Sequence, residues 1–155
     1  MEANNDSSRT RPAQRAVLRY QRELLAIESC PGVPATFDGP AYRSVHEDLR
    51  HTNNFEPSAV IDPARLRRTN SMETRCSLWG LSMYESLEQL RNMIRRVERT
   101  NKNFRNLVGH YYAELALTSS DGQRTTASAS GHFDLHPSDS FDPVACVRCH
   151  KELPP

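Results

Sequence analysis

Two stretches decide the fold class. The first is Leu107-Val108-Gly109-His110-Tyr111-Tyr112-Ala113-Glu114-Leu115-Ala116-Leu117. The second is Thr125-Thr126-Ala127-Ser128-Ala129-Ser130-Gly131-His132-Phe133-Asp134-Leu135-His136. Both alternate with a period of two, as a strand does when successive side chains leave opposite faces. Tyr111, Ala113, Leu115, Phe133 and Leu135 fall on the odd, inward positions, and His110, Tyr112, Glu114, His132, Asp134 and His136 on the even ones. One apolar and one polar face describe an antiparallel sheet covered on one side. The adjacency of the stretches predicts a β-hairpin over about 106–118 and 124–136. A two-residue Asp121-Gly122 turn would set the apolar face of one strand against the polar face of the other. A three-residue loop, Ser120-Asp121-Gly122, restores the match and puts glycine where a left-handed backbone is needed. In that register His110 faces His132, Tyr112 faces Ser130 and Glu114 faces Ser128.

Working outward, two amphipathic helices are predicted to pack on this sheet. Ala13, Val17, Tyr20, Leu24 and Ile27 recur every three or four residues, which predicts a helix over about 13–28, ended by Cys30-Pro31-Gly32. Ser86 with Gln89 reads as a capping box, and Leu87, Leu90, Ile94 and Val97 continue as a helix over about 87–99. Between them, residues 77–84 (SLWGLSMY) read as a strand, with Trp79, Leu81 and Met83 on one side. Ala41-Tyr42-Arg43-Ser44-Val45 reads as a short strand and 55–61 as an edge strand limited by Pro57, within a proline-rich stretch over 31–75. Residues 1–11 (MEANNDSSRTR) lack the apolar side chains needed to offset ordering and read as a disordered tail. The expectation is therefore a single α+β domain over 12–155.

The totals narrow the function classes. With 20 basic and 19 acidic residues in 155, the net charge is +1, which argues against a general nucleic-acid binder. The arginine groups at 15–22, 65–68 and 91–99 are accompanied by acids and read as solvated faces. No apolar run has the length of a bilayer span, and the polar N-terminus does not read as a signal peptide. These features predict a cytoplasmic protein, most simply of a bacterium, whose four cysteines are thiols or metal ligands rather than a disulfide framework.

Two groups of residues carry candidate chemistry. His110, Tyr112, Glu114, His132, Asp134 and His136 share the polar face of the predicted hairpin with Ser128 and Ser130, and its three histidines, tyrosine and two carboxylates could supply acid–base groups or ligands; an ordinary solvated sheet face has the same composition. Cys146-Val147-Arg148-Cys149-His150 carries the spacing of half a zinc site, with His132 and His136 as the other half and His150, Cys76 or Cys30 as further donors. Zinc is thus the candidate metal. The same string is a haem-attachment motif, but that chemistry needs export, for which the sequence gives no signal. No phosphate-binding glycine loop and no G-x-S-x-G elbow is present.

The order Tyr42-Arg43-Ser44, then Leu81-Ser82-Met83-Tyr84 running straight into a helix at Ser86, resembles proteins of the ADP-ribosyltransferase fold. The resemblance spans roughly 41–117. It implies that Arg43 holds the phosphates of NAD, Ser82 positions the nicotinamide ribose and Glu114 polarises it. The late Glu-x-Glu or Gln-x-Glu of that family is absent. Two function classes follow. One is an accessory protein that meets a protein partner, or a second copy, through its N-terminal helix or sheet. The other is a small enzyme, either an NAD-using transferase or a metal-assisted hydrolase built on the histidine face. Convergence of the polar residues in one pocket separates the two.

Overall fold

The computed structural model describes residues 17–36 and 39–155. The predicted tail over 1–11 and the first turn of the predicted helix over 13–28 lie outside the described residues. What is described is an α+β fold whose six strands form one antiparallel sheet. The strands are β1 (Ala41–Val45), β2 (Leu81–Tyr84), β3 (Tyr111–Leu115), β4 (Gly122–Arg124), β5 (His132–Pro137) and β6 (Val147–Glu152), in the order β4-β5-β2-β1-β3-β6. Helices are α1 (Gln21–Leu25), α2 (Ser58–Ile61), α3 (Pro63–Arg68), α4 (Met72–Leu78), α5 (Leu87–Glu98), α6 (Phe104–Val108) and α7 (Pro143–Cys146).

The inward set read from the sequence holds over β3 and β5, but residues 116–118 and 125–131 of the predicted strands are not extended ladder, and the pairing differs. Ala113, Leu115, Phe133 and Leu135 are buried in one core with Ala41, Val45, Leu81 and Met83. Yet the two stretches do not form a hairpin. β3 lies between β1 and β6, and β5 lies between β2 and β4, so β1 and β2 separate them. Tyr84, not His110, is opposite His132. Leu107 and Val108 are drawn into α6, and Gly109, at φ +102°, turns the chain into β3. A β-carbon at Gly109 would run into the Val45 backbone, so glycine there permits both the backbone conformation and the close approach. The hairpin that does form is β4–β5, with Gly122 opposite Pro137 and Arg124 opposite Leu135.

The sheet curls strongly. β3 and β4 run in the same sense at distant places in it, and only residues 116–121 join them. Such a link reaches little more than 20 Å fully extended, about the width of four strand spacings alone. Curling brings the two sheet edges together: the Cys146 thiol, just before β6, donates to Asp121 Oδ1 just before β4, at 3.7 Å. The concave side holds the core. The convex side carries Tyr42, Ser82, Tyr84, Tyr112, Glu114, His132 and Asp134, which follow from the Tyr42–Tyr84, Tyr42–Glu114 and Tyr84–His132 pairs.

Two covers sit on that convex side. α5 brings Leu90 and Ile94 against Tyr84 and Leu153, with the edges of Tyr42 and Tyr112 alongside. Ser86 caps α5 by accepting from the Gln89 amide, as expected, although Gln89 does not return the bond through its own side chain. The second cover is the 17–30 segment, where Leu18, Leu24, Ile27 and Cys30 pack with Cys76 and Trp79. Only 21–25 of this segment is helical. Its start is drawn into the sheet instead: Leu18 bridges Ser138, and the Arg19 amide donates to the Pro137 carbonyl.

A disulfide joins Cys30 to Cys76 across 46 residues of sequence, which corrects the expectation of free thiols. Closing a loop of that length restricts the unfolded chain by about 4 kcal/mol in the chain-entropy account. The predicted strand over 55–61 is the short helix α2, because Pro57 takes the N-cap position rather than an edge. The predicted strand over 77–84 is confined to β2. Ser71 caps a helix whose last residue is Leu78, and the chain becomes extended only at Leu81.

Candidate functional site

The two covers leave a gap on the convex side, and in that gap the sheet is split. β1 and β2 pair only at Tyr42 and Tyr84. Beyond that pair, where a continued ladder would bring a backbone donor to Ser82, the Arg43 side chain takes its place. Arg43 Nη1 donates to the Ser82 carbonyl at 2.8 Å, and Nε donates to the Asn54 carbonyl at 2.6 Å. The guanidinium thus closes the split and ties the loop after β1 to it. Burial lowers the Arg43 pKa to about 10, and Asp134 opposes the shift. Arg43 therefore remains a cation at neutral pH.

On the other side of β2, Ser82 is paired with Asp134 of β5. Ser82 is exposed, and its hydroxyl is hydrogen-bonded to His132 Nε2 at 2.7 Å. The same nitrogen lies 3.6 Å from Asp134 Oδ1. Asp134 is only 8% exposed, and burial raises its carboxyl pKa against the lowering effect of a Ser77 hydrogen bond and of His132, His136 and Arg43. Gly80 makes this packing feasible. A β-carbon there would stand 2.9 Å from Asp134 Cβ and 3.2 Å from the His136 ring.

Arg43, Ser82, His132 and Asp134 line one cavity of about 480 Å³. A second cavity of about 670 Å³ adjoins it and shares Ser77, His132 and Asp134. Together they form a groove whose two parts meet at Ser77, His132 and Asp134. The arrangement does not suit a Ser-His-Asp hydrolase. In that relay serine and aspartate contact opposite ring nitrogens, whereas here both lie nearest Nε2.

Of the residues expected to act, Arg43, Ser82 and His132 are brought together. His110, Tyr112 and Glu114 are not with them. His110 stands at the start of β3 and hydrogen-bonds Asn106 at 2.9 Å, far across the sheet order from His132. Glu114 accepts from the Tyr42 hydroxyl at 2.6 Å, which raises the Tyr42 pKa to about 12, with burial second. Tyr112 lies 3.7 Å from the Cys149 sulfur, which raises its hydroxyl pKa together with burial. Tyr42, Tyr112, Glu114 and Cys149 therefore form a separate, internally satisfied cluster.

The expected metal set disperses as well. Cys146 turns to Asp121, Cys149 to Tyr112, His132 to Ser82, and His136 to Cys76 at 3.9 Å. Among the described residues, Cys30, Cys76 and His136 are the group whose ligand atoms all lie within 4.8 Å of one another.

Sequence reasoning places Asp134 on the polar face as one of two carboxylates able to serve as an acid–base group or ligand, without bringing it to Ser82. Its only signal was alternation within β5, and its proximity to Ser82 depends on a β2–β5 pairing that separates residues about fifty positions apart. Among the described residues no helix is long and apolar enough to cross a membrane. No family model matches the chain, and no curated protein or solved structure is significantly similar to it.

Proposed function

We propose that the chain is a small enzyme that binds NAD in the groove at the split of the sheet and transfers its ADP-ribosyl group. The observation that carries this reading is the convergence of Arg43, Ser82, His132 and Asp134 on one cavity. Support also comes from the strand order: Arg43 of β1 and Ser82 of β2 lie on neighbouring strands, and β2 runs into α5 after two residues. In this reading Arg43 binds the dinucleotide phosphates by charge and planar donors. Ser82, oriented by His132, holds the nicotinamide ribose.

Asp134 replaces Glu114 in the third role. Breaking the bond between ribose C1′ and nicotinamide builds positive charge on the sugar, as in other glycosidic cleavages. A carboxylate with few competing waters stabilises that charge more strongly in the transition state than in the ground state. The electron pair of the broken bond leaves with nicotinamide, and the acceptor's nucleophile, or water, bonds to C1′ and loses its proton.

The test is nicotinamide release from labelled NAD, together with NAD binding by calorimetry. Asp134→Asn is expected to keep binding and lose at least a hundredfold in turnover, the scale of removing one electrostatic stabiliser. Absence of both NAD binding and nicotinamide release from the folded chain overturns the proposal. The accessory reading draws on the exposed Val17, Leu25 and Val33 of the N-terminal segment. It predicts that the groove variants leave partner capture unchanged.

A further inference from the structure

We propose that Cys30, Cys76 and His136 form a zinc site when their disulfide is reduced, so that this wall of the groove exists in two forms, disulfide or metal. The argument begins with the histidine. His136 is 1% exposed, and Nε2 faces the Cys76 sulfur at 3.9 Å. Its Nδ1 is buried with no hydrogen-bond partner. A buried imidazole whose Nε2 faces a cysteine sulfur is placed as a zinc-binding histidine is.

The spacing fits a single ion. Zinc bonds thiolate at about 2.3 Å and imidazole at about 2.0–2.1 Å, so a tetrahedral ion sets sulfur and nitrogen about 3.6 Å apart. The observed 3.9 Å needs a shift of only a few tenths of an ångström. The Cα atoms of Cys30 and Cys76 are 5.7 Å apart. Rotation about the two Cα–Cβ bonds is then enough to open the sulfurs to a shared ion once the covalent bond is gone. All three ligand atoms already lie within 4.8 Å of one another.

Two cysteines and one histidine make three protein ligands, which leaves the fourth position to water or an incoming donor. Cys76 and His136 both line the larger cavity, the one that shares Ser77, His132 and Asp134 with the Arg43 cavity. The open position therefore faces the groove. Oxidation removes both thiolates and with them the site, while reduction and metal binding replace one cross-link between the 17–30 segment and α4 by another.

The chemistry balances with a phosphine reductant. The disulfide, one phosphine and one water give two thiols and a phosphine oxide. Zinc binding then releases two protons as the thiols become thiolates. The site stands independently of NAD chemistry, and its readout is metal content rather than turnover.

The experiment uses the full chain, reduced with a phosphine and titrated with zinc against a chromogenic chelator, then with cobalt. One equivalent of zinc and a thiolate-to-cobalt charge-transfer band are expected after reduction, and neither before it. Cys76→Ser is expected to weaken zinc binding at least a hundredfold and His136→Gln at least tenfold. The Cys146→Ser/Cys149→Ser double variant is expected to bind as the native chain does. Circular dichroism of each variant and of the reduced, metal-free chain shows whether it is folded. No zinc bound by the folded, reduced chain overturns the proposal. So does zinc retained by Cys76→Ser but lost in the Cys146/Cys149 double variant.

Discussion

Replacing Arg43 tests the split sheet most directly, because this side chain stands where backbone pairing stops. Its two hydrogen bonds, 2.6 Å to the Asn54 carbonyl and 2.8 Å to the Ser82 carbonyl, are donated by a charged group. Each such bond contributes about 1.5–3 kcal/mol net, and two on one group do not add fully. Arg43→Met keeps the aliphatic stem and removes both, so the expected loss of stability is about 2–4 kcal/mol. Arg43→Lys keeps the charge beside Asp134 but, as a single ammonium on a flexible stem, cannot span both carbonyls. It should lose about 1–2 kcal/mol. Urea unfolding followed by the fluorescence of Trp79 reads both values, with the slope of the transition unchanged. A domain whose whole stability is about 5–15 kcal/mol shows differences of that size clearly. If Arg43→Lys and Arg43→Met are both within about 0.5 kcal/mol of the native chain, the guanidinium does not hold the split. The cavity geometry built on it would fall with it.

Other perturbations reach different parts of the groove and sheet. Burial raises the folded-state pKa of Asp134 above its ordinary value of 3.8. The fold therefore holds this proton more tightly than the unfolded chain does, and stability falls as pH rises from about 3.8 through the folded pKa. Asp134→Asn should remove that falling limb and unfold at a higher urea concentration than the native chain at neutral pH, while losing turnover; an unchanged pH profile of urea midpoints would refute the burial argument. Gly109→Ala asks for a side chain at φ +102° against the Val45 backbone, and should cost about 1–3 kcal/mol or more, read as a lowered thermal midpoint. Cys146 is buried beside Asp121 and Asp142, and these raise its thiol pKa to about 11. Alkylation by iodoacetamide, followed by mass spectrometry, should leave Cys146 unmodified at neutral pH in the folded chain.

What the sequence revealed and what it withheld have separate physical causes. β1 was legible because Ala41 and Val45 bracket an alternating run, and the same residues are its buried ends. α5 was legible from a cap, Ser86, and from apolar spacing, both of which act within one turn of the chain. The inward set of β3 and β5 was legible because alternation is a property of each strand by itself. The choice of pairing partner is not such a property. Ser120-Asp121-Gly122 between two alternating stretches reads as a hairpin loop, yet β3 finds its neighbours in β1 and β6. The shortened N-terminal helix has the same origin, since Leu18 and Arg19 satisfy their backbone on Ser138 and Pro137 rather than locally.

The same division explains the site. Arg43 and Ser82 were found because they lie in short stretches whose order could be compared with a known arrangement. The resemblance implies Glu114 as their carboxylate partner, but β3 meets β1 on the edge away from β2. A carboxylate that is to face Ser82 must come from the strand on the other side of β2, and that strand is β5. On β5, residues paired with Ser82 and Tyr84 share their face, which selects Asp134 and His132 and excludes Phe133 and Leu135. Gly80 then decides how closely Asp134 can approach, because a β-carbon at that position would crowd Asp134 Cβ at 2.9 Å. The pairing of β2 with β5 is therefore the structural fact on which the groove depends. A disturbance there should separate Ser82 from Asp134 while leaving the Arg43 bond to the Ser82 carbonyl in place.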